Sequence, residues 1–215
     1  MSATDVTVID YGLGNLLSVR RGLEHCGASV MVSEDPAAIL AARRVVLPGV
    51  GAFADGMAEL RRRGMDEVVR EVAARGRPLM GICLGMQMLL DKSDEFGVNA
   101  GLGLIAGRVI AVPDRDAEGR PHKIPHIGWS SLVRPSSQVD WRDTPLSGLH
   151  EGVSVYFVHS FMAAPADSAC RIADCLYGGV PITAAVGLRN VFGCQFHPEK
   201  SGEVGLAILR TFLAQ

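Results

Sequence analysis

The first half of the chain alternates between short β-branched runs and segments of helical periodicity, and few folds absorb that order. "DVTVID" is a β-rich run, and "NLLSVRRGLEHCG" follows with helix-like spacing, closing on Gly27. "ASVMVS" reads as a strand. "DPAAILAA" reads as a helix with Asp35 at its N-cap and Pro36 at its first position. "RRVVLPG" is a strand, "DGMAELRRRGMDEVVREVAARG" one long amphipathic helix, "RPLMGIC" a strand and "LGMQMLLDK" a helix. Strands separated by helices pair in parallel, and a parallel sheet needs both faces covered. The expectation is a single α/β domain over residues 1–215, with a central, mostly parallel sheet and helices on both faces. After Ala100 the pattern turns strand-like, in "GLGLIAGRVIAV", "GVSVYFVHSFMAA", "ITAAVGLRN" and "VFGCQFHP", and "GEVGLAILRTFLAQ" reads as a closing helix. Segments 113–123 and 134–148 are polar and Pro-rich, as surface loops are.

Composition excludes several classes of function. Of 215 residues, 48% are hydrophobic and 20% charged, ordinary values for a globular protein with a substantial core. A net charge of −2 gives no basic surface for a nucleic acid. No apolar run approaches the roughly 18 residues a membrane helix needs. The start, "MSATDVTVID", lacks the pattern of a signal peptide. The five cysteines, Cys26, Cys83, Cys170, Cys175 and Cys194, are an odd, scattered set unlike a disulfide framework, so a reducing, cytoplasmic setting is expected. His25, His122, His126, His150 and His159 show no ligand spacing and no C-x-x-C pair occurs, so no metal is expected.

"GICLG" sets Cys83 between Gly81 and Gly85, where a strand should become a helix. A nucleophile at such a turn is held exposed above the sheet edge, and small neighbours let the backbone bend and a substrate approach. The N–H groups opening the next helix point at the same spot and favour negative charge there. Both effects suit a reactive thiol and an oxyanion site. The pattern is weak by itself, because buried, inert cysteines are common. The thiol also needs a base. In "VFGCQFHPEKS", Pro198 biases His197 toward an extended conformation, which would put Glu199 on the same side. Glu199 could then hold one imidazole nitrogen while the other faces Cys83, an arrangement of nucleophile, base and orienting group.

"GICLGMQ" and "GCQFHPEKS" resemble the class I, or triad, glutamine amidotransferases. "DYGLGN", "LPGVGAF", "KIPHIGWS" and "YFVHSF" narrow the likeness to the glutaminase subunits of imidazole glycerol phosphate synthases, in histidine biosynthesis. The motifs run from Asp10 to Ser201, nearly the whole chain. The resemblance implies that Cys83 attacks the side-chain amide of glutamine to give a glutamyl thioester. His197 would take the thiol proton and pass one to the departing ammonia, with Glu199 orienting it. The backbone N–H groups of Val50 and Leu84 would form the oxyanion hole. Gly51, Gln87, Glu95, Ser160 and Phe161 match positions that hold glutamine, the last two through backbone groups. Many relatives carry an aromatic hydroxyl where this chain has Phe161. For Gln87 and Glu95 an ordinary polar helix surface is the competing reading.

The same resemblance implies a partner. No synthase domain follows the His-Pro-Glu motif, so the acceptor chemistry is expected in another polypeptide, a (βα)8-barrel cyclase subunit forming a heterodimer and receiving channelled ammonia. Asn15, Trp129 and Lys200 are candidate interface residues, with core packing the alternative for Trp129 and a solvated charge for Lys200. Allosteric control by the partner is expected in "LPGVGAF", where Gly49 could let its peptide with Val50 rotate. "GLGNLL" lacks the third glycine of a dinucleotide loop, and no cofactor is implied. Two other readings stay open: the glutaminase of another triad amidotransferase, such as that of anthranilate synthase or pyridoxal phosphate synthase, and a non-catalytic binding module of the same fold.

Overall fold

Alternation along each strand sorts the apolar side chains into two cores, one on either face of a large sheet. The computed structural model describes residues 4–136 and 139–215; part of the second predicted loop lies outside them. In chain order the elements are β1 (Val6–Ile9), α1 (Leu16–His25), β2 (Val30–Ser33), α2 (Pro36–Ala41), β3 (Val45–Leu47), α3 (Phe53–Arg62), α4 (Met65–Ala74), β4 (Leu79–Ile82), α5 (Leu84–Met88) and β5 (Leu90–Ser93). There follow β6 (Asn99–Ala100), β7 (Ile105–Ala111), β8 (His126–Val133), β9 (Ser154–His159), β10 (Phe161–Pro165), β11 (Arg171–Tyr177), β12 (Val180–Leu188), β13 (Val191–Cys194) and α6 (Gly202–Leu213).

Nine strands form one sheet in the order β2-β1-β3-β4-β13-β12-β11-β8-β9. The first five are mutually parallel, and from β13 outward every pairing is antiparallel. The α/β class expected from the alternation therefore holds, with the parallel half built by the segments that predicted it and β13. A second, four-stranded sheet runs β10-β7-β5-β6. Val6, Val8, Val46, Met80 and Ile82 pack with Val19 and Leu23 of α1 and Ile208, Leu209 and Phe212 of α6. Ile9, Val45, Leu47 and Leu79 point the other way, against Ile39 of α2, Phe53, Met57 and Leu60 of α3, and Val68, Val69 and Val72 of α4. A two-residue period in the strands thus sends successive residues to opposite helical layers.

The structure corrects two predicted helices. The long helix over "DGMAELRRRGMDEVVREVAARG" is two, broken at Gly64, whose φ of 67° caps α3 in the left-handed region. The helix over "LGMQMLLDK" stops at Met88, and Leu90–Ser93 pairs with β7 and β6 instead. Leu84 to Leu90 are all buried, so no polar face held the segment to a helical period. The predicted cap of α2 is present: the Asp35 side chain accepts from the Ala37 N–H, with Pro36 at the first position.

All carboxyl ends of the parallel strands open at one edge of the sheet, where ligands of open α/β sheets bind. The turn after β13 is fixed there by α6. A Cβ on Gly205 would lie 1.9 Å from the Pro198 carbonyl oxygen. Gly205→Ala should therefore destabilise the protein by about 1–3 kcal/mol through overpacking, measured as a lower urea midpoint. An unchanged midpoint would show that this contact does not hold the turn.

Candidate active site

Cys83 sits between β4 and α5 with φ 56° and ψ −112°, a conformation that costs a non-glycine residue about 1–3 kcal/mol. Close backbone contact holds it there. A Cβ on Gly85 would lie 1.9 Å from the Leu47 carbonyl oxygen, and one on Gly81 would lie 2.7 Å from that of Gly85. The Cys83 N–H donates to the Cys194 carbonyl at 2.8 Å, tying the turn to β13. With only five residues in α5, an anion here would be met by individual N–H groups, first that of Leu84, rather than by a long helix dipole.

His197 follows β13, the parallel neighbour of β4. Its Nδ1 lies 2.9 Å from Glu199 Oε1, and both side chains are buried. His197 is extended as Pro198 predicts, at φ −101° and ψ 96°, but the route to Glu199 is not, because Pro198–Lys200 forms a 3₁₀ turn that folds Glu199 back. Ser201 Oγ donates to the His197 carbonyl at 2.6 Å and accepts from the Tyr156 N–H at 3.0 Å. Gly22 of α1 leaves room behind, since a Cβ there would come 3.2 Å from Glu199 Cβ. His197 Nε2 has no hydrogen-bond partner among the described residues. Burial opposes protonation of this imidazole, but Cys83 and Glu199 beside it outweigh burial and raise its pKa to about 9. That direction suits an imidazole that takes a proton from a neighbouring thiol.

One cavity of about 460 Å³ is lined by Val50, Gly51, Cys83, Leu84, Gln87, Glu95, Phe96, His159, Ser160, Phe161 and His197, with Val158 completing the wall. The oxyanion and glutamine-binding candidates therefore all meet the cysteine and histidine in one space, and Glu199 lies behind His197. Neither Gln87 nor Glu95 is on a solvated helix face: both are buried, and Glu95 accepts from the Phe53 N–H at 2.6 Å. A larger cleft of about 670 Å³ beside Arg171 and Asp174 contains no cysteine or histidine. Gly49 is not in the left-handed region that its expected freedom would use; Gly51 is, at φ 100°. Gly49 is needed for close approach, because a Cβ there would lie 2.7 Å from the Tyr11 hydroxyl and 2.9 Å from Leu84 Cβ.

The interface candidates lie elsewhere. Asn15 caps α1, accepting from the Ser18 N–H at 3.4 Å, and Lys200 is exposed at the end of the 3₁₀ turn. Trp129 on β8 is 58% exposed, which removes core packing as its role.

Sequence reasoning missed a buried polar network converging on the Phe161 carbonyl. That oxygen accepts from His159 Nδ1 at 2.8 Å and Gln87 Nε2 at 3.1 Å. A carbonyl only accepts, so His159 carries its proton on Nδ1, and its Nε2 accepts from His126 Nδ1 at 3.0 Å. His126 Nε2 in turn accepts from Ser130 Oγ at 2.9 Å. The contacts at Phe161 run through its carbonyl, which a missing ring hydroxyl leaves intact. Tyr11, also missed, donates to the Pro48 carbonyl at 2.9 Å and joins two loops of the site. Gln195 was a visible signal, a lone polar residue inside the apolar run "VFGCQF".

The sequence comparisons decide the family. A model described as "Glutamine amidotransferase class-I" matches residues 7–215. The chain belongs to this family. Among similar sequences, imidazole glycerol phosphate synthase subunit HisH 1 of Legionella pneumophila (strain Lens) is 53% identical over 210 residues, covering 98% of this chain and 99% of that one. Subunit HisH of Geobacillus thermodenitrificans is 46% identical, covering 98% and 95%. Among solved structures, PurLQS from Thermotoga maritima superposes with a TM-score of 0.70 at 21% identity, covering 97% of both chains. The glutaminase domain of CTPS from Trypanosoma brucei gives 0.61 at 17%, covering 98% of this chain and 94% of that one. These structures share their fold with this chain.

The histidine pair has a consequence for stability. Burial is the chief cause lowering both His126 and His159 to about 4, with His122 adding to the effect on His126 and His197 to that on His159. Unfolded, both would titrate near 6.5. Between about 6.5 and 4 the unfolded chain binds more protons, so the pair's stabilisation is full above that window and is lost as pH falls through it. The urea midpoint should drop from pH 7 to pH 5, and His126→Gln should show a smaller drop from a lower starting value. An equal drop in wild type and variant would refute this.

Proposed function

We infer that this chain is the glutaminase subunit of an imidazole glycerol phosphate synthase, acting in histidine biosynthesis. The observation that carries the reading is 53% identity to HisH 1 of Legionella pneumophila over nearly the whole of both chains, in a chain whose Cys83 and His197 line one cavity, with Glu199 bonded behind His197. The reaction is hydrolysis of glutamine to glutamate and ammonia, by one glutaminase domain spanning residues 1–215.

His197 Nε2 takes the Cys83 proton as Sγ attacks the glutamine side-chain carbonyl carbon. The resulting oxyanion is met by the Val50 and Leu84 N–H groups. The imidazolium, steadied by Glu199, gives its proton to the departing nitrogen, and ammonia leaves a glutamyl thioester. Water, deprotonated by the same imidazole, releases glutamate and restores the thiol. Gly51, Gln87, Glu95 and the backbone of Ser160 and Phe161 hold the substrate. The amide nitrogen of Gln87 is already engaged, so Oε1 is its remaining polar atom. Asn15, Trp129 and Lys200 meet a (βα)8-barrel cyclase subunit in a heterodimer. There the ammonia attacks a ribulosyl aminoimidazole nucleotide, giving imidazole glycerol phosphate and an aminoimidazole carboxamide ribotide. No helix among the described residues is long and apolar enough to cross a membrane, and all five cysteines are unpaired, which supports a reducing, cytoplasmic location.

Two substitutions test this division of labour. Cys83→Ala should abolish glutamine-dependent synthesis by the complex and leave synthesis from free ammonia, because the acceptor site is on the partner; loss of both in a folded complex refutes it. Glu199→Gln should lower glutaminase turnover by more than about tenfold. The loss should stay short of the roughly 10⁴-fold seen for the serine-protease aspartate, since a cysteine is intrinsically more nucleophilic. Wild-type turnover in that variant would remove Glu199 from the mechanism.

A further inference from the structure

The Phe161 carbonyl fixes the direction of a second hydrogen-bond chain, and this one ends on the sulfur. Gln87 Nε2 donates to that carbonyl, so the orientation of the Gln87 amide is set. The same nitrogen lies 2.9 Å from a side-chain atom of Gln195. An amide nitrogen donates only, so the facing atom must be Gln195 Oε1, and Gln195 Nε2 must turn the other way. There it meets Cys83 Sγ at 3.7 Å, within reach of an N–H···S hydrogen bond. Gln195 is wholly buried, and its backbone N–H is held by the Ala184 carbonyl at 2.9 Å. Its donor is therefore in place before any substrate arrives, and solvent does not compete for it.

We propose that Gln195 is a further catalytic residue, whose side-chain N–H holds the Cys83 sulfur in position and stabilises it as a thiolate. The proposal rests on the reading of Cys83 as nucleophile. A hydrogen bond to the charged form of a group favours that form. Here the stabilised species is the thiolate left when His197 takes the proton, and formed again when the thioester is cleaved. His197 supplies a mobile proton on one side of the sulfur; Gln195 supplies a donor that never leaves. The neighbouring thiol of Cys194 cannot substitute, because burial first, and then the charges of Glu199 and Cys83, keep it protonated. Gln87 acts through Gln195 here, as a positioning residue: its amide leaves the Gln195 donor only one direction to face.

Two variants separate this role from packing. Gln195→Leu removes the donor at similar volume and leaves the Gln87–Phe161 bond. Gln195→Met keeps the length of the side chain but sets no donor against the sulfur. The first measurement is the pH dependence of Cys83 alkylation by iodoacetamide in the folded full chain, followed by mass spectrometry of the Cys83 peptide. The second is glutaminase kcat and KM in the complex with the cyclase subunit. Both variants should move the alkylation midpoint to higher pH and lower kcat by about tenfold, the worth of one ordinary hydrogen bond, with KM little changed. Co-elution with the cyclase subunit at wild-type stoichiometry marks a folded complex, and if the Leu variant does not fold, the Met variant of the same length decides. An unshifted alkylation midpoint in a folded variant overturns the proposal, whether or not activity falls. Retained glutaminase activity in Cys83→Ala would instead overturn the nucleophile reading itself.

Discussion

Everything at the cavity depends on one close backbone contact, that of Gly85 against the carbonyl of Leu47. The contact lets α5 start directly above the end of β3, so the chain must turn sharply at residue 83. The turn forces Cys83 into a conformation a side chain rarely adopts, and sheet and helix packing together hold it there. No side chain could mediate this, because any Cβ at residue 85 would overlap the oxygen. The strain is therefore the local cost of presenting a thiol to the cavity at the carboxyl edge; Cys83 is itself buried, not exposed as its turn predicts.

A second constraint is directional rather than steric. The Phe161 carbonyl can only accept, and two buried chains of donors end on it. One runs from Ser130 through His126 and His159. The other is Gln87, whose orientation in turn sets that of Gln195. Each link has one possible direction once the oxygen is fixed, so the network stores a unique arrangement rather than a set of alternatives. Protonating His159 on Nε2 would set its N–H against that of His126, and a proton added to His126 Nε2 would reverse the bond from the Ser130 hydroxyl. This is why the pair must stay neutral, and why acid should act on it before it acts on the apolar core.

How far the chain could be read from its sequence follows from the range of each signal. Local signals were reliable: the Asp35–Pro36 cap, the Gly27 stop and the two-residue alternation that fills opposite cores. The glycines around Cys83 and the His-Pro-Glu stretch pointed to side chains that the structure brings together, because turn chemistry is local. The break at Gly64 was ambiguous, since a glycine inside a helical pattern can be tolerated or can end it. The short α5 could not be read, because a continuous apolar run fits a buried helix and a buried strand equally well. The histidine pair was unreadable in kind, and Gln195 stood out only as a polar residue in an apolar run, with nothing local to say what it meets. Their meaning lies in partners more than 30 residues distant, such as His159 for His126 and Cys83 for Gln195.

The same separation in sequence governs how the site comes into being. Cys83 and Gln195 are 112 residues apart, yet they sit at the ends of adjacent parallel strands. The intervening chain builds β5 to β12, including the antiparallel half of the large sheet and all of the small one. β13 must then insert between β4 and β12, in the middle of the nine-stranded order. Such long-range parallel pairing must meet its loop-closure cost before its contacts form, and is intrinsically slow. Cysteine, histidine and the Gln195 donor are thus brought together only when the central strand is seated and both cores are closed over it. A partly folded chain holds the sulfur apart from its base, so the chemistry inferred for this site is a property of the completed sheet rather than of either half.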